Sequence, residues 1–177
     1  MKKIICIVEN KYRGIWTKKK AFSLIEVLVV MAIIGIIAVI IFVSLGSATG
    51  KARDAKRKTE LAQIGRFISL GCYMPNAGAN EYDILVLVDE LKAKYPQYAQ
   101  YVSLTPKDPK SGSETESKYY YIITVDNKCV LYANLENKDE AVTLPSINTP
   151  TPGGGTGVFQ AGTGGWNGSD KYFQISN

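Results

Sequence analysis

The chain has 177 residues, 46% of them hydrophobic, which suits one membrane segment followed by one modest globular domain. Its formal net charge of +5 is unevenly distributed, because residues 1–21 contain seven Lys or Arg and one Glu. The remainder has 14 basic and 15 acidic residues, a net charge of −1, and this argues against nucleic-acid binding through a general basic surface.

The first segment, residues 1–21, is basic and has one short apolar patch, Ile4–Val8, which cannot span a membrane. It ends in three lysines, Lys18–Lys20. Basic residues beside a membrane segment stay on the cytoplasmic side. We therefore expect a single-pass protein of the inner membrane, with everything after Val43 on the outside.

The next segment, residues 22–43, is predicted to be a membrane helix, since every residue from Val27 to Val43 is apolar or glycine. As a helix it would be about 33 Å long, enough to cross a bilayer core. Glu26 is the exception, because a carboxylate inside such a segment costs up to about 3 kcal/mol unless it is paired or lies near the interface. An acidic side chain inside a membrane segment therefore indicates that Glu26 has a functional role.

The run from Lys20 to Glu26, Lys-Ala-Phe-Ser-Leu-Ile-Glu, resembles the processing site of type IV prepilins and type II secretion pseudopilins. The resemblance implies that a prepilin peptidase removes the leader 1–21 by cleaving between Ala21 and Phe22, and then methylates the amino group of Phe22. It also implies that Glu26 neutralises the terminal ammonium of a neighbouring subunit. Alanine at position 21 departs from the glycine that is usual in this family.

By the same resemblance, the chain is a structural subunit, not an enzyme. Its partners would be the prepilin peptidase, an inner-membrane assembly platform with its ATPase system, and other subunits in a homo-polymer or a mixed filament. The final location would be an extracellular pilus or a periplasmic pseudopilus. The sequence does not separate these two outcomes.

Two other interpretations of the apolar segment stay open. A secretory signal could be cleaved after the small residues Gly46-Ser47-Ala48, although the apolar core is longer than such signals have and Glu26 has no role in one. A plain single-span anchor is the second interpretation. Either would make the protein a membrane-anchored or secreted extracellular binding domain that does not polymerise.

Beyond the membrane segment, residues 44–70 are predicted to continue the helix in amphipathic form, with Leu61, Ile64 and Ile68 as a seam that could carry a sheet. The predicted fold is therefore α+β and type IV pilin-like, with a long helix packed on a small antiparallel sheet. A basic cluster also lies here, interrupted by acidic residues, and is interpreted as a solvated face or a subunit-contact surface: Lys51, Arg53, Lys56, Arg57 and Lys58.

The cysteines suggest a disulfide. Cys6 lies in the leader, which leaves Cys72 and Cys129 as the pair in an exterior domain, where disulfides persist. A bridge between them would stabilise the fold by roughly 4 kcal/mol in the chain-entropy model. Two buried free thiols are the alternative, whereas a zinc site would need more ligands than two cysteines and a chain without histidine supply.

The head is predicted to cover residues 71–144. Its second helix is expected from Glu81 to Tyr95, and a hairpin is expected from the runs Lys118–Val125 and Cys129–Leu135. Before the hairpin, the Asp-Pro-x-Ser-Gly loop at 108–112 resembles the segment that precedes the sheet in pseudopilins and small pilins. Tyr95, Tyr98 and Tyr101 are expected to pack against the head or to form a surface patch.

The remaining residues, 145–177, are predicted to be a loop and tail. The Pro-, Thr- and Gly-rich part from Pro145 to Gly165 has no hydrophobic periodicity and is expected to be flexible or extended. Residues from Trp166 to Asn177 could dock as an extra strand.

No set of residues predicts catalysis. The chain has no histidine, no phosphate-binding glycine loop and no nucleophile elbow, so neither a catalytic residue nor a cofactor is assigned. Its carboxylates are interpreted as solvated groups of turns and helix faces. Metal ligands are likewise unassigned, because four head carboxylates lack a calcium-binding spacing: Asp108, Glu114, Glu116 and Asp126.

Overall fold

The structure is a computed structural model and describes residues 22–97 and 105–177. The chain divides into two units, Met1–Ile41 and Phe42–Asn177, and each is described by itself. The helices are α1 (Leu24–Ile68) and α2 (Ile84–Lys94), and the strands are β1 (Glu81–Asp83), β2 (Tyr120–Ile123), β3 (Cys129–Asn134), β4 (Gly157–Gln160) and β5 (Lys171–Ser176).

The long helix predicted over residues 22–70 is confirmed as α1, which has 45 residues and begins and ends two residues inside the predicted bounds. Its sequence contains no proline, and strong helix formers, chiefly Ala, Leu, Lys and Arg, are frequent in its second half. The chain leaves the helix through two tight turns, in which Leu70 N–H donates to Phe67 O and Gly71 N–H to Ile68 O. Pro75, shortly beyond, prevents the helix from resuming.

The second predicted helix is right from Ile84 to Lys94 and wrong at its start, because Glu81–Asp83 form the edge strand β1. Asp83 is the N-cap of α2, and its carboxylate accepts the backbone N–H of Leu85 at 2.9 Å. The same carboxylate accepts the N–H groups of Ser117 and Lys118, just before β2. Asp83 therefore joins α2 to the sheet, and Glu81 belongs to β1 instead of to the first turn of the helix.

The sheet has five strands in the order β1-β2-β3-β5-β4, and all neighbours are antiparallel. The predicted hairpin is confirmed as β2 and β3, with Ile123 opposite Cys129. Its turn places Asn127 at φ +58°, a left-handed conformation that asparagine tolerates better than most residues.

The Pro-, Thr- and Gly-rich segment departs from the expectation of a flexible loop, because it contains β4. Gln174 of β5 is fully buried and holds this segment through two hydrogen bonds, accepting from Thr151 N–H and donating to Gly155 O, both at 3.0 Å. The extra strand expected after Trp166 is confirmed as β5. It lies inside the sheet, between β3 and β4.

The core lies between the second half of α1, α2 and one face of the sheet. The seam predicted on α1 faces this core, with Leu61 and Ile68 buried and Ile64 partly buried. Gly65 lets β5 approach, since a Cβ atom at this position would lie 2.8 Å from Cγ2 of Ile175. Buried residues of β2 and β3, with Tyr119 just before β2, complete the core: Tyr119, Tyr121, Ile123, Cys129, Leu131 and Ala133. This is the predicted α+β, pilin-like fold.

A disulfide joins the loop after α1 to the sheet. The sulfur atoms of Cys72 and Cys129 are 2.04 Å apart, and the bond closes a sequence separation of 57 residues. Asn177 lies beside it, donating its backbone N–H to Cys129 O and its side-chain amide to Ile68 O. The structure therefore contains the bridge, and not the alternative of two free thiols.

Candidate functional site

The candidate processing site lies at the start of the described chain. Phe22 and Ser23 precede α1, and the side chain of Phe22 is exposed. Ser23 is the N-cap residue, because its carbonyl oxygen accepts the N–H groups of Glu26 at 3.1 Å and Val27 at 3.3 Å. Ala21, the other residue of the predicted cleavage site, lies outside the described residues.

Glu26 has a partner inside its own chain. Its Oε2 atom accepts the backbone N–H of Ser23 at 2.9 Å, which is one of the two hydrogen bonds of a capping box. The carboxylate also lies in the first turn of α1, where the helix dipole favours a negative charge. One structural role of Glu26 is therefore local, and a role toward another subunit would be added to it.

The apolar half of α1 follows directly. Leu24–Phe42 has a mean hydropathy of 3.2 and is long and apolar enough to cross a membrane, and none of it is buried within the described chain. Its large side chains are exposed, for example Ile36 at 65% and Phe42 at 76%. An apolar surface of this length is unstable in water. It indicates a membrane-anchored precursor.

One residue of the basic cluster that follows, Arg57, departs from the interpretation of a solvated face. Arg57 is fully buried, and its guanidinium contacts three carboxylates. Its Nε atom lies 2.7 Å from Oδ2 of Asp108, and its NH1 atom lies 2.7 Å from both Asp54 Oδ1 and Glu136 Oε1. These four residues, Arg57, Asp54, Asp108 and Glu136, are called the arginine cluster below.

Further hydrogen bonds complete the arginine cluster. Asp54 accepts the backbone N–H groups of Glu136 and Asn137, and Asp108 accepts the side-chain amide of Asn167 at 2.7 Å. A buried charge is tolerated only when it is paired and hydrogen-bonded in this way. The cluster therefore fastens α1 to the loop at Asp108 and to the residues after β3.

The electrostatics of the arginine cluster follow from these contacts. Burial alone would raise the pKa of Asp108, but hydrogen bonds from Arg57, the N–H of Ser111 and Asn167 outweigh it and hold that pKa well below its usual range. Hydrogen bonds from Arg53, followed by those from Arg57, lower the pKa of Glu136 from 4.5 to about 2. Both carboxylates are ionised at neutral pH and are shielded from water by their partners. The interpretation of all carboxylates as solvated groups is therefore wrong for these two.

The other basic side chains of the predicted cluster remain nearer the surface, and most have acidic partners. Arg53 donates two hydrogen bonds to Glu136, at 2.7 and 2.6 Å. Lys56 lies 3.7 Å from Glu60, and Lys58 pairs with Glu140. Such pairing leaves little unpaired positive charge for a nucleic acid.

The tyrosine patch is described only in part. Tyr95 is the C-cap of α2 and is 41% exposed. Tyr98 and Tyr101 lie outside the described residues.

Comparison with known proteins gives one match. Residues 16–42 match the family model described as the prokaryotic N-terminal methylation motif. No curated protein and no solved structure matched the chain. The matched residues include Phe22, Glu26 and the whole exposed apolar half of α1. The chain carries the N-terminal signal of type IV pilins and pseudopilins.

Proposed function

We propose that this protein is a structural subunit, a pilin or pseudopilin, of a type IV pilus-like filament. A prepilin peptidase cleaves the leader 1–21 between Ala21 and Phe22 and methylates Phe22. An inner-membrane assembly platform with its ATPase system then moves the subunit into a homo-polymer or a mixed filament. The head ends outside the cell or in the periplasm.

The observation that carries the proposal is the combination of the motif at 16–42 with a 19-residue apolar stretch of α1, none of which is buried by the described residues. In the membrane, lipid covers this surface. In a filament, the same surfaces of neighbouring subunits would cover one another, so the subunit could leave the bilayer without exposing them to water.

Glu26 would direct assembly through its charge. When a subunit enters a filament, its carboxylate leaves the interfacial region, and an unpaired charge in apolar surroundings is costly. The new amino terminus at Phe22 of a neighbouring subunit is a cation that could offset this cost. The local hydrogen bond from Ser23 would keep the carboxylate oriented until then.

Processing is tested by N-terminal sequencing and intact-mass measurement of the protein from native membranes. We expect a mature chain that begins at Phe22 with one methyl group on its amino terminus. A chain beginning near Thr49 would contradict the proposal, because it would have lost the apolar helix. An uncleaved chain would instead support an anchored binding domain that does not polymerise.

The role of Glu26 is tested by two variants. Glu26→Gln keeps an oxygen that can accept the Ser23 N–H and removes the charge, whereas Glu26→Ala removes both. We expect both to be cleaved and to keep a folded head, and both to lower the yield of filaments at least tenfold. Wild-type yield from Glu26→Gln with low yield from Glu26→Ala would show that assembly needs the hydrogen bond and not the charge, and wild-type yield from both would contradict a role of Glu26 in assembly.

Pilins and pseudopilins are separated by electron microscopy of filaments sheared from cells. Long surface fibres containing the protein would identify a pilin, and fibres that appear only on overexpression would identify a pseudopilin. Failure to recover crosslinked ladders of the native protein from either preparation would favour the non-polymerising binding domain.

A further inference from the structure

A groove on the head has no part in the proposed function. Side chains alternate along β3, so that Leu131 and Ala133 face the core beneath α1 while Tyr132 faces the other side of the sheet. On that other side a pocket of about 270 Å³ opens, lined by Tyr132 and by Tyr172 of β5. The groove therefore lies on the face of the sheet that is turned away from α1.

The walls of the groove are aromatic. The Trp166 and Tyr172 rings stand almost perpendicular, at 80° with centroids 5.6 Å apart. Phe159 stacks on Tyr172, with the planes at 14° and the centroids 5.4 Å apart. Tyr132 and Phe159 are buried and form the floor, whereas Trp166 and Tyr172 are only half-buried and keep part of their rings open.

The contacts of Trp166 are made by its ring, which packs edge-on against Tyr120 and Tyr172. Among the described residues, its indole N–H is the one buried side-chain group without a hydrogen-bond partner. Such a group costs about 1–3 kcal/mol, and an unsatisfied group in a folded protein calls for an explanation. A function that uses the face of the indole explains why this side chain is kept in a loop otherwise rich in glycine, residues 162–168.

The chemistry of the lining selects the ligand. Among the described residues that line the groove none is Asp, Glu, Lys or Arg, so it offers no charged partner to a phosphate or a carboxylate. Its rim carries exposed neutral side chains that donate and accept hydrogen bonds, Asn148, Thr149 and Thr163. A sugar ring matches both features, because its C–H faces pack on aromatic rings and its hydroxyls bond amides and hydroxyls.

We propose that this groove binds a neutral saccharide, with one pyranose ring resting against Trp166 and Tyr172. A quaternary ammonium also binds aromatic faces, but its cationic N-methyl head has no N–H or O–H that could use the amide and hydroxyls of the rim. The volume of about 270 Å³ suits one ring, so a longer glycan would extend over the rim. The site belongs to residues 132–172 and does not depend on processing or polymerisation.

The test uses the full chain in lipid nanodiscs, with Trp16→Phe so that Trp166 is the remaining tryptophan of the two. The probes are methyl β-glucopyranoside, methyl β-galactopyranoside and the methyl glycoside of N-acetylglucosamine, with choline as the cationic comparison. We expect a saturable change in Trp166 emission with at least one pyranoside, and transfer of NMR saturation from the protein to the protons of its ring.

Variants locate the binding. Asn148→Ala with Thr163→Val removes exposed polar groups of the rim and leaves the aromatic packing intact, and we expect at least fivefold weaker binding. Trp166→Ala removes the fluorescent probe, so its binding is measured by saturation-transfer NMR. We expect this variant to bind the pyranoside at least tenfold more weakly. Tyr95→Ala removes an exposed aromatic ring elsewhere and should leave binding unchanged.

Three results would overturn the proposal. They are the absence of a saturable response to every pyranoside, tighter binding of choline than of any pyranoside, and unchanged binding in the rim variant. Because each is measured on dispersed full-length protein, failure here leaves the proposed filament function untouched, and failure of filament formation leaves this site untouched.

Discussion

The two halves of α1 use opposite chemistry. From Leu24 to Phe42 the side chains are apolar and exposed, and a single carboxylate interrupts them. From Lys51 to Ile68 charged residues are frequent, yet two of them, Asp54 and Arg57, are buried, and Arg57 has three carboxylate partners. The apolar half therefore packs against nothing within the described chain, whereas the charged half forms buried ion pairs with the head.

This difference separates two tasks along one helix. Interactions that stabilise the head come from the second half, through the arginine cluster and the seam at Leu61 and Ile68. The first half adds almost nothing to that stability, because a side chain that is exposed before and after unfolding contributes no burial. The free energy of burying its apolar side chains remains available for contacts with lipid or, in the proposed filament, with other subunits. The four predictions below test this division.

The largest effect is expected from Arg57→Met, which would leave Asp54, Asp108 and Glu136 buried without their shared cation. Removing one partner of a buried ion pair typically costs about 3–5 kcal/mol. Urea unfolding of the chain in micelles, followed by Trp166 emission, measures it. The control is Arg66→Met, which removes an exposed arginine from the same helix and should cost less than about 0.5 kcal/mol. Equal stability of the two variants would contradict the structural role of the arginine cluster.

The second largest effect is expected on lowering the pH. Because the pKa of Glu136 falls from 4.5 to about 2 on folding, protonating it costs more in the folded than in the unfolded chain. Stability should be constant above about pH 4.5 and should fall as the pH drops toward 2, by on the order of 3 kcal/mol from this group. Glu136→Gln should be less stable at neutral pH and show a shallower acid dependence. A wild-type stability that stays flat down to pH 2 would refute this account.

Two glycines of α1 should respond with opposite signs. At Gly65 a Cβ atom would lie 2.8 Å from Ile175, so Gly65→Ala must displace β5 and should cost about 1–2 kcal/mol. At Gly50 nothing lies within 4 Å of the added atom, and Gly50→Ala should gain up to about 1 kcal/mol from helix propensity. Midpoints of urea unfolding compare them, and stabilisation by both would mean that β5 does not press on α1.

The smallest effect on the head is expected from Ile36→Ala in the apolar half. Ile36 is 65% exposed, so the free energy of unfolding of the head should change by less than about 0.5 kcal/mol. Filament yield should fall, because the proposed contacts between subunits use this surface. A change in head stability as large as that of Gly65→Ala would remove the distinction between the two halves of the helix.

Local patterns in the sequence predicted much of the fold. The apolar run and the seam at Leu61, Ile64 and Ile68 gave α1, and alternating β-branched and aromatic residues gave the hairpin. These signals depend on neighbours within a few positions of one another. The segment 16–42 was recognisable for the same reason, since its whole signal is contiguous.

The arginine cluster was missed because its members are far apart in the sequence. Arg57 and Asp108 are separated by 51 positions, and a basic residue among other charges on a helix normally faces water. One signal was available, since the Asp-Pro-x-Ser-Gly loop predicts an aspartate that accepts its own backbone N–H groups, as Asp108 does from Lys110 and Ser111. That pattern reveals an ordered carboxylate but not its distant arginine.

Two strands escaped prediction for a related reason. β1 has three residues and β4 has four, too few for a periodic pattern. Gly157 and the prolines before it also resemble a loop, and the pairing of β4 depends wholly on β5. The aromatic groove was equally hidden, because Tyr132, Phe159, Trp166 and Tyr172 come from different elements.

The place of β5 in the sheet has a consequence for the order in which the protein matures. β5 follows β4 in the chain but separates it from β3 in the sheet. Until residues 171–176 have left the ribosome, β4 lacks the strand with which it pairs, and its backbone bonds are those of Val158 with Thr143 and Leu144. The β2–β3 hairpin meanwhile keeps an open edge. Closure is thus a single late event. A chain broken off before Lys171 should give an aggregation-prone fragment instead of a smaller head, and we expect newly made chains to associate through this open edge until β5 is complete.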